Sequence, residues 1–436
     1  MDPIRNPYAP GAGQRPPELA GRDAEMDMFQ VVLERIQRGR PERSLVLTGL
    51  RGVGKTVLLN SLRSSAVRAR WGTGKIEARP GAELRRPLSA ALHQAIRELG
   101  IRDEESRRHV LGILKSFAQR STPSDAKLRD KWQPGIDVPA VSGRADSGDI
   151  EIDLVELFSD IAGLSLDVGK GVAVFIDEMQ DLGADDVSAL CAACHEISQQ
   201  GLPFVVVGAG LPHLPAVLSA SKSYSERLFR YRRIDRLDRE EADRALRTPA
   251  LEEGADFTAE ALDALYTATD GYPYFVQAYG KAAWDVAPRS PISAEDVRVG
   301  APSAQAELAV GFFGSRYERA TPAEREYMRA LADLEVVGKA GTSGEDPAAE
   351  AHAHSADEAR SGAEDGGGAE AADGGPAEAP QGVATKDLAV HLGRKPQSLS
   401  PARDGLIKKG LVYSAERGRI AFTVPHFGRY LRGQNG

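Results

Sequence analysis

Cysteine is nearly missing from this sequence: Cys191 and Cys194 are the only two among 436 residues. That scarcity excludes a disulfide-built scaffold and fits a reducing compartment. Long apolar runs are missing too. No stretch reaches the roughly 18 apolar residues that a membrane-crossing helix needs, which excludes a membrane span at the level of sequence. Residues 1–17 are rich in Pro and Gly and lack the apolar core of a secretion signal, so the default expectation is a cytoplasmic protein with no membrane partner. What remains is ordinary for a globular chain, with 42% hydrophobic and 27% charged residues. The length exceeds one compact core and suits two or three domains.

The formal net charge of −8 conceals a split. Residues 339–382 carry 10 acidic and 2 basic side chains, whereas residues 383–436 carry 10 basic and 3 acidic ones. A basic C-terminal module therefore follows an acidic segment, a pattern that points to an anionic partner for the tail end.

Periodicity divides the chain further. Helical spacing runs from Glu25 to about Arg38, and Leu88, Leu92, Ala95, Ile96 and Leu99 repeat at helical intervals, as do Leu154, Leu157, Phe158 and Ile161. Residues 44–48, 172–176 and 204–207 are short apolar runs that read as buried strands. Strands alternating with helices predict an α/β fold with a parallel sheet covered on both sides. Residues 116–150, with prolines at 123, 134 and 139, read as loop or hairpin. From Asp238 to about Ala320 the pattern is helical, with Thr258 and Ser293 as N-caps and Gly271 ending a helix. Residues 339–382 lose all periodicity, hold no aromatic residue and read as disordered.

Gly49, Leu50, Arg51, Gly52, Val53, Gly54, Lys55 and Thr56 match G-x-x-x-x-G-K-S/T without a gap, behind an apolar strand and ahead of an amphipathic helix. Glycines let the backbone curl so that its N–H groups converge on phosphate oxygens, and the helix start adds partial positive charge. Lys55 would reach the terminal phosphates, and Thr56 would offer its hydroxyl to Mg²⁺. A plain glycine turn is the alternative, and the flanking strand and helix argue against it. Downstream, the run 172–176 ends in Asp177 and Glu178. Asp177 would hold Mg²⁺ through water, and Glu178 would polarise the attacking water. A strand ending in acids at a solvated loop is the competing reading, weakened by the phosphate loop upstream. Together these segments predict an ATPase site with ATP and Mg²⁺ as cofactors.

These residues carry a family resemblance. Gly49 to Thr56 resembles a Walker A motif, and Asp177-Glu178 resembles a Walker B motif with its catalytic glutamate. Ala20-Gly21-Arg22-Asp23-Ala24-Glu25 resembles the G-R-D/E-x-E element of initiator-like AAA+ and STAND ATPases. Gly271-Tyr272-Pro273 resembles the G-x-P element in the helical lid of STAND-type proteins, and the C-terminus resembles the winged helix of initiator-type AAA+ proteins. The resemblance covers nearly the whole chain except the acidic insert. It implies a three-layer αβα P-loop core, a helical lid, and nucleotide between them with Gly21, Arg22 and Pro273 alongside. Two departures stand out. The strand after Walker B ends Val207-Gly208-Ala209-Gly210, without the usual polar sensor, and the closest cation downstream of Pro273 is Lys281, where many relatives carry a sensor arginine. Both lean toward a nucleotide-dependent switch that turns over slowly. Arg227 sits where initiator-type relatives place an arginine finger, which would imply a homo-oligomer; it also reads as a surface arginine in a basic stretch with Arg230, Arg232, Arg233 and Arg236. Asn6, Pro7 and Tyr8 would pack on adenine, or belong to a loosely bound terminus.

The C-terminal pattern is helix, helix, helix, hairpin. Thr321-Pro322-Ala323-Glu324 is a capping box, Thr385 caps the second helix, residues 397–409 form the third, and residues 411–414 and 420–424 are strands. In a helix-turn-helix the second helix of the pair enters the major groove. Lys395, Gln397, Ser398, Arg403, Lys408 and Lys409 lie on or beside that helix, with Arg417 and Arg419 on the wing tip. The lysines and arginines would neutralise phosphates, and Gln397 and Ser398 would reach base edges. A basic winged helix used for protein contact is the other reading. The acidic insert would compete with DNA for this surface. Cys191 and Cys194, beside His195, lack a second ligand pair and read as buried thiols; His352 and His354 read as solvated.

The expected organisation is an N-terminal arm (1–17), an ATPase core (18–236), a helical lid (237–318), and a winged helix (319–338 and 383–436) split by the insert 339–382. The function expected is ATP binding with slow hydrolysis that loads on or remodels double-stranded DNA. A signalling switch, and a DNA-binding regulator in which nucleotide is structural, remain beside it.

Overall fold

Residues 44–48 carry no charge, two leucines and two β-branched residues, and they form a strand, β1 (Ser44–Thr48), buried along its whole length. The computed structural model describes residues 1–11, 13–120, 135–340, 382–415, 418–424 and 426–433. Around β1 assemble β2 (Gly72–Glu77), β3 (Val172–Asp177), β4 (Phe204–Gly210) and β5 (Phe229–Arg233), in the order β2-β3-β4-β1-β5. Every neighbouring pair is parallel. The three apolar strands are central. The edges β2 and β5 escape a search for apolar runs because each pairs on one side only. In β2 a Cβ at Gly72 or Gly74 would stand 2.5 Å from a carbonyl oxygen of Ala95 or Ala91, so bulky residues are barred there. In β5 the sequence FRYRR keeps exposed arginines at the sheet edge.

Helices α1 (Asp23–Gln37), α2 (Lys55–Arg68), α3 (Arg85–Glu98), α4 (Glu104–Gln119), α5 (Ile150–Leu166) and α6 (Ala184–Gln200) cover the sheet. Strand alternation assigns them to faces. Leu45, Leu47, Phe175, Val205 and Val207 pack with Phe29, Leu33, Leu58 and Leu62 of α1 and α2. Val46, Val174, Ile176 and Val206 pack with Leu88, Leu114, Leu157, Phe158 and Leu190 of the other four. Two short helices, α7 (Leu214–Ser221) and α8 (Ser225–Leu228), lead into β5.

The hairpin considered for 116–150 does not form among the described residues: α4 runs to Gln119, and residues 135–149 are loop. Side chains satisfy that loop's backbone in place of a strand partner. Lys115 donates to the Ile136 and Val138 carbonyls, Ser116 to Val141, and Asp153 accepts from Ser147 and Gly148. Asp153 is fully buried and also pairs with Arg85 at 2.7 Å, joining α3 to α5. The prolines at 123 and 134 lie outside the described residues.

Four helices follow: α9 (Arg239–Glu252), α10 (Ala259–Thr269), α11 (Pro273–Val286) and α12 (Ala294–Leu308). Thr258 and Ser293 cap α10 and α12 through their side chains, and Asp270 and Gly271 both take left-handed conformations after α10. The N-terminal residues dock on these helices. Trp284 donates to the Asp2 carbonyl, and Asn6 donates to Lys281 and Asp285.

The described chain divides into two compact units, Met1–Phe312 and Phe313–Gly436. The second contains α13 (Ser315–Glu318), α14 (Pro322–Ala340), β6 (Val383–Ala384), α15 (Thr385–His391), α16 (Pro396–Lys408), β7 (Val412–Ser414), β8 (Arg419–Phe422) and α17 (Phe427–Gly433). Its antiparallel sheet runs β6-β8-β7, an arrangement compatible with a winged helix. Thr321 and Glu324 form the expected reciprocal cap. Thr385 does not cap: it is the first helical residue, and its hydroxyl donates to the Gly418 carbonyl. Phe313, Phe422, Phe427 and Tyr430 build an aromatic core at the base of this unit. Most of the acidic insert, together with Arg417, His352 and His354, falls outside the described residues.

Candidate functional site

In a parallel sheet the loops leaving the carboxyl ends of the strands share one edge, and that edge is where open α/β sheets bind ligands. Here β4 separates β1 from β3, so the phosphate loop after β1 and the carboxylates after β3 flank the end of β4.

The loop's glycines are demanded by geometry. A Cβ on Gly49 would stand 2.2 Å from the Ile234 carbonyl oxygen, and Gly52 and Gly54 have φ of 84° and 90°. Gly54 ends the loop as the residue before α2. Lys55 is buried, and its ammonium donates to the Gly49 and Leu50 carbonyls at 2.9 and 2.7 Å. Burial lowers this ammonium to about 8, while Glu178 and Asp177 pull it back up. Gly52 lies under a stacked aromatic pair, Tyr274 and Phe312, and its carbonyl accepts from the Tyr274 N–H at 3.3 Å.

Thr56 on α2 and Asp177 at the end of β3 are neighbours: the Thr56 side chain is among the groups that favour the ionised Asp177 carboxylate. Burial pushes the Asp177 carboxyl above the usual carboxylate range, opposed by Thr56 and by Lys75, whose ammonium stands 4.0 Å away. Lys75 also donates to Asn60, one turn beyond Thr56 on α2. A hydroxyl and a carboxylate side by side are the hard oxygen donors that suit Mg²⁺. Glu178 follows with a left-handed backbone, φ 49° and ψ 41°. One of its oxygens faces Arg51 at 3.3 Å, and the other accepts from Gln180 at 2.6 Å. Lys75, Asn60 and Gln180 escaped sequence reasoning, since no motif marks an edge-strand lysine or a glutamine two residues past a carboxylate.

Other expected site residues are placed as follows. Arg22 is buried, and its guanidinium donates to the carbonyls of Gly21, Val53 and Asp235. It braces the phosphate loop through backbone atoms. Gly21, at φ 68°, packs so closely on Glu241 that a Cβ would stand 2.4 Å from its carboxyl carbon. Pro273 is the first residue of α11, one position before the Tyr274 contact with Gly52. Tyr8, expected to pack on adenine, lies among the helices that follow the sheet domain. Its ring is buried against Phe257 and Trp284, and its hydroxyl donates to the Leu246 carbonyl at 2.5 Å. Gly13, further along the arm, is the residue that approaches Thr56.

Arg227 is exposed on α8 and has no acidic partner among the described residues. Arg230, Arg232, Arg233 and Arg236 pair with Glu42, Glu25, Asp235 and Asp270. In the second unit Lys395, Gln397, Ser398 and Lys408 are exposed on or beside α16. Arg403 pairs with the adjacent Asp404, and Lys409 pairs with Glu324 at 2.6 Å. Arg419, expected on the wing tip, donates from two nitrogens to the Gly382 carbonyl in its own sheet. Cys191 and Cys194 are both buried in α6; burial raises the Cys191 thiol to about 12.

A parallel β2-β3-β4-β1-β5 sheet with a glycine loop, a buried lysine and a Thr–Asp pair at one edge defines an α/β P-loop nucleotide-binding ATPase fold. The comparison with known families is in keeping with this: residues 18–207 match the AAA ATPase domain. Residues 310–359 and 371–431 match a domain of unknown function, DUF8462. No curated protein matches the chain. Among solved structures, a Walker-type ATPase of Pyrococcus abyssi is similar over 96% of this chain and 97% of its own, at 15% identity and a TM-score of 0.53. That likeness is one of fold. Lower scores join the chain to the RuvB Holliday junction branch migration motor of Thermotoga maritima (15% identity, 97% and 99% covered, TM-score 0.41). An Orc1 protein of Aeropyrum pernix in complex with DNA scores similarly (12% identity, 96% and 94% covered, TM-score 0.40).

Proposed function

We propose that the first unit binds Mg-ATP and hydrolyses it slowly, and that the second unit is a winged helix that engages double-stranded DNA. The observation that carries the first half is the meeting of the glycine loop with the carboxylates after β3, where Arg51 faces Glu178 at 3.3 Å and Thr56 neighbours Asp177. Gly49 to Thr56 would hold the triphosphate, Lys55 its terminal phosphates, and Thr56 and Asp177 the metal, which would supply charge neutralisation to the phosphates. Glu178 would orient the attacking water. Arg227 would reach the nucleotide of a second copy, a role favoured by its exposure and by its having no acidic partner among the described residues. Exposed Lys395, Gln397, Ser398 and Lys408 support a duplex contact along α16.

A second reading keeps the nucleotide switch and gives the C-terminal unit a protein partner. Arg419 and Lys409 favour it, since both cations are engaged within their own unit.

The deciding experiment measures ATP binding and turnover, with and without duplex DNA, for wild type, Lys55→Ala and Glu178→Gln. We expect DNA-stimulated turnover in wild type. Lys55→Ala should weaken ATP binding by about 2 kcal/mol. Glu178→Gln should bind ATP and lose turnover. Failure of wild type to take up ATP with excess magnesium overturns the ATPase reading. Turnover indifferent to DNA, with no duplex bound at low salt, favours the switch.

A further inference from the structure

We infer that Gln180 is the positioning residue for Glu178, holding its carboxylate from the turn after β3 while anchored at the end of β4. This rests on the ATPase reading.

Gln180 joins two elements. Its Oε1 accepts from the Leu211 N–H at 3.1 Å, just past β4, and its Nε2 donates to Glu178 Oε2 at 2.6 Å. The first bond fixes the second. A backbone N–H can only donate, so the amide atom facing it must be the oxygen, which leaves the nitrogen for the carboxylate. Arg51 takes the other carboxylate oxygen at 3.3 Å. Glu178 therefore has a donor on each oxygen, one from the phosphate loop and one anchored at the end of β4.

The space for this arrangement is built into β4. A Cβ on Gly210 would stand 2.6 Å from Gln180 Oε1, and one on Gly208 would stand 2.4 Å from the Met179 sulfur. The strand end that lacks a polar side chain is thus small where the turn after β3 must close on it. That turn begins with Glu178 itself in the left-handed region, a conformation that costs a non-glycine residue free energy and that clusters at functional sites. A carboxylate that polarises water must hold its orientation while keeping its charge. A neutral amide does this, whereas a second cation would compete for the carboxylate. Loss of Gln180 should therefore appear in turnover and not in ATP affinity.

The test compares wild type with Gln180→Glu, Gln180→Leu and Gly210→Ala in the full chain, measuring ATP affinity, kcat, KM and melting temperature. Gln180→Glu keeps the size and the acceptor for Leu211 but loses the donor. Gly210→Ala drives a methyl against the amide from the far side. We expect kcat to fall about tenfold or more in all three, with ATP affinity and KM within about threefold of wild type. Adding Gln180→Leu to Glu178→Gln should slow turnover no further, since the two act as one unit. Wild-type kcat in Gln180→Glu overturns the inference, as does a rise in KM with kcat unchanged. A wild type that binds ATP without any turnover overturns the ATPase reading, and this inference with it.

Discussion

At the scale of single residues, carbonyl oxygens and carboxylates hold this molecule's turns in place. Arg22 and Lys55 are both buried, and each satisfies its charge on backbone carbonyls of the phosphate loop. Glu324 does comparable work in the second unit, where it caps Thr321 and pairs with Lys409. Burial opposes its charge, yet the Lys409 and Thr321 bonds outweigh burial and hold its carboxyl below the usual range. A depressed carboxyl stabilises the fold fully above its unfolded value, and that stability fades as pH falls through the folded value. Calorimetry of the full chain should show Glu324→Gln costing about 1 kcal/mol at pH 7, with the difference from wild type shrinking toward pH 4 and below. An unchanged melting profile at pH 7 would show that the pair contributes nothing.

At the scale of elements, the central strands were legible because burial on both faces leaves only apolar residues. The edges were not. β2 reads GTGKIE, and its two small positions exist because α3 lies directly on them. Gly74→Val should push α3 off the sheet and cost about 2 kcal/mol or more. Gly163, inside α5 with nothing near its Cβ position, offers the contrast: Gly163→Ala should gain about 0.5–1 kcal/mol. Urea unfolding of the two variants checks both signs. At 135–149 sequence left loop and hairpin both open; the loop holds because Lys115, Ser116 and Asp153 satisfy its backbone from the flanking helices.

At the scale of the whole molecule, the proposed partners come into view. Arg227 is set apart from the arginines around it only by their acidic neighbours, three of which lie outside the stretch. If it serves a second copy, Arg227→Ala should bind ATP as wild type does. Wild-type turnover per molecule should rise with protein concentration and that of Arg227→Ala should not, with sedimentation recording the same assembly state in both. Equal concentration dependence in the two would return Arg227 to the surface.

The sequence by itself determined the α/β class, the position of the phosphate loop and the acids at 177 and 178. Each is written in contiguous residues: a glycine spacing that only one backbone path satisfies, or an apolar run that only a buried strand accepts. Tertiary structure alone decided which of these face one another. It brought Thr56 near Asp177, seated Tyr8 against α9 and α11, engaged Arg419 in its own sheet, and set Gln180 between Glu178 and the end of β4. Those contacts depend on strand order and on space left by glycines elsewhere in the chain, which local spacing does not encode.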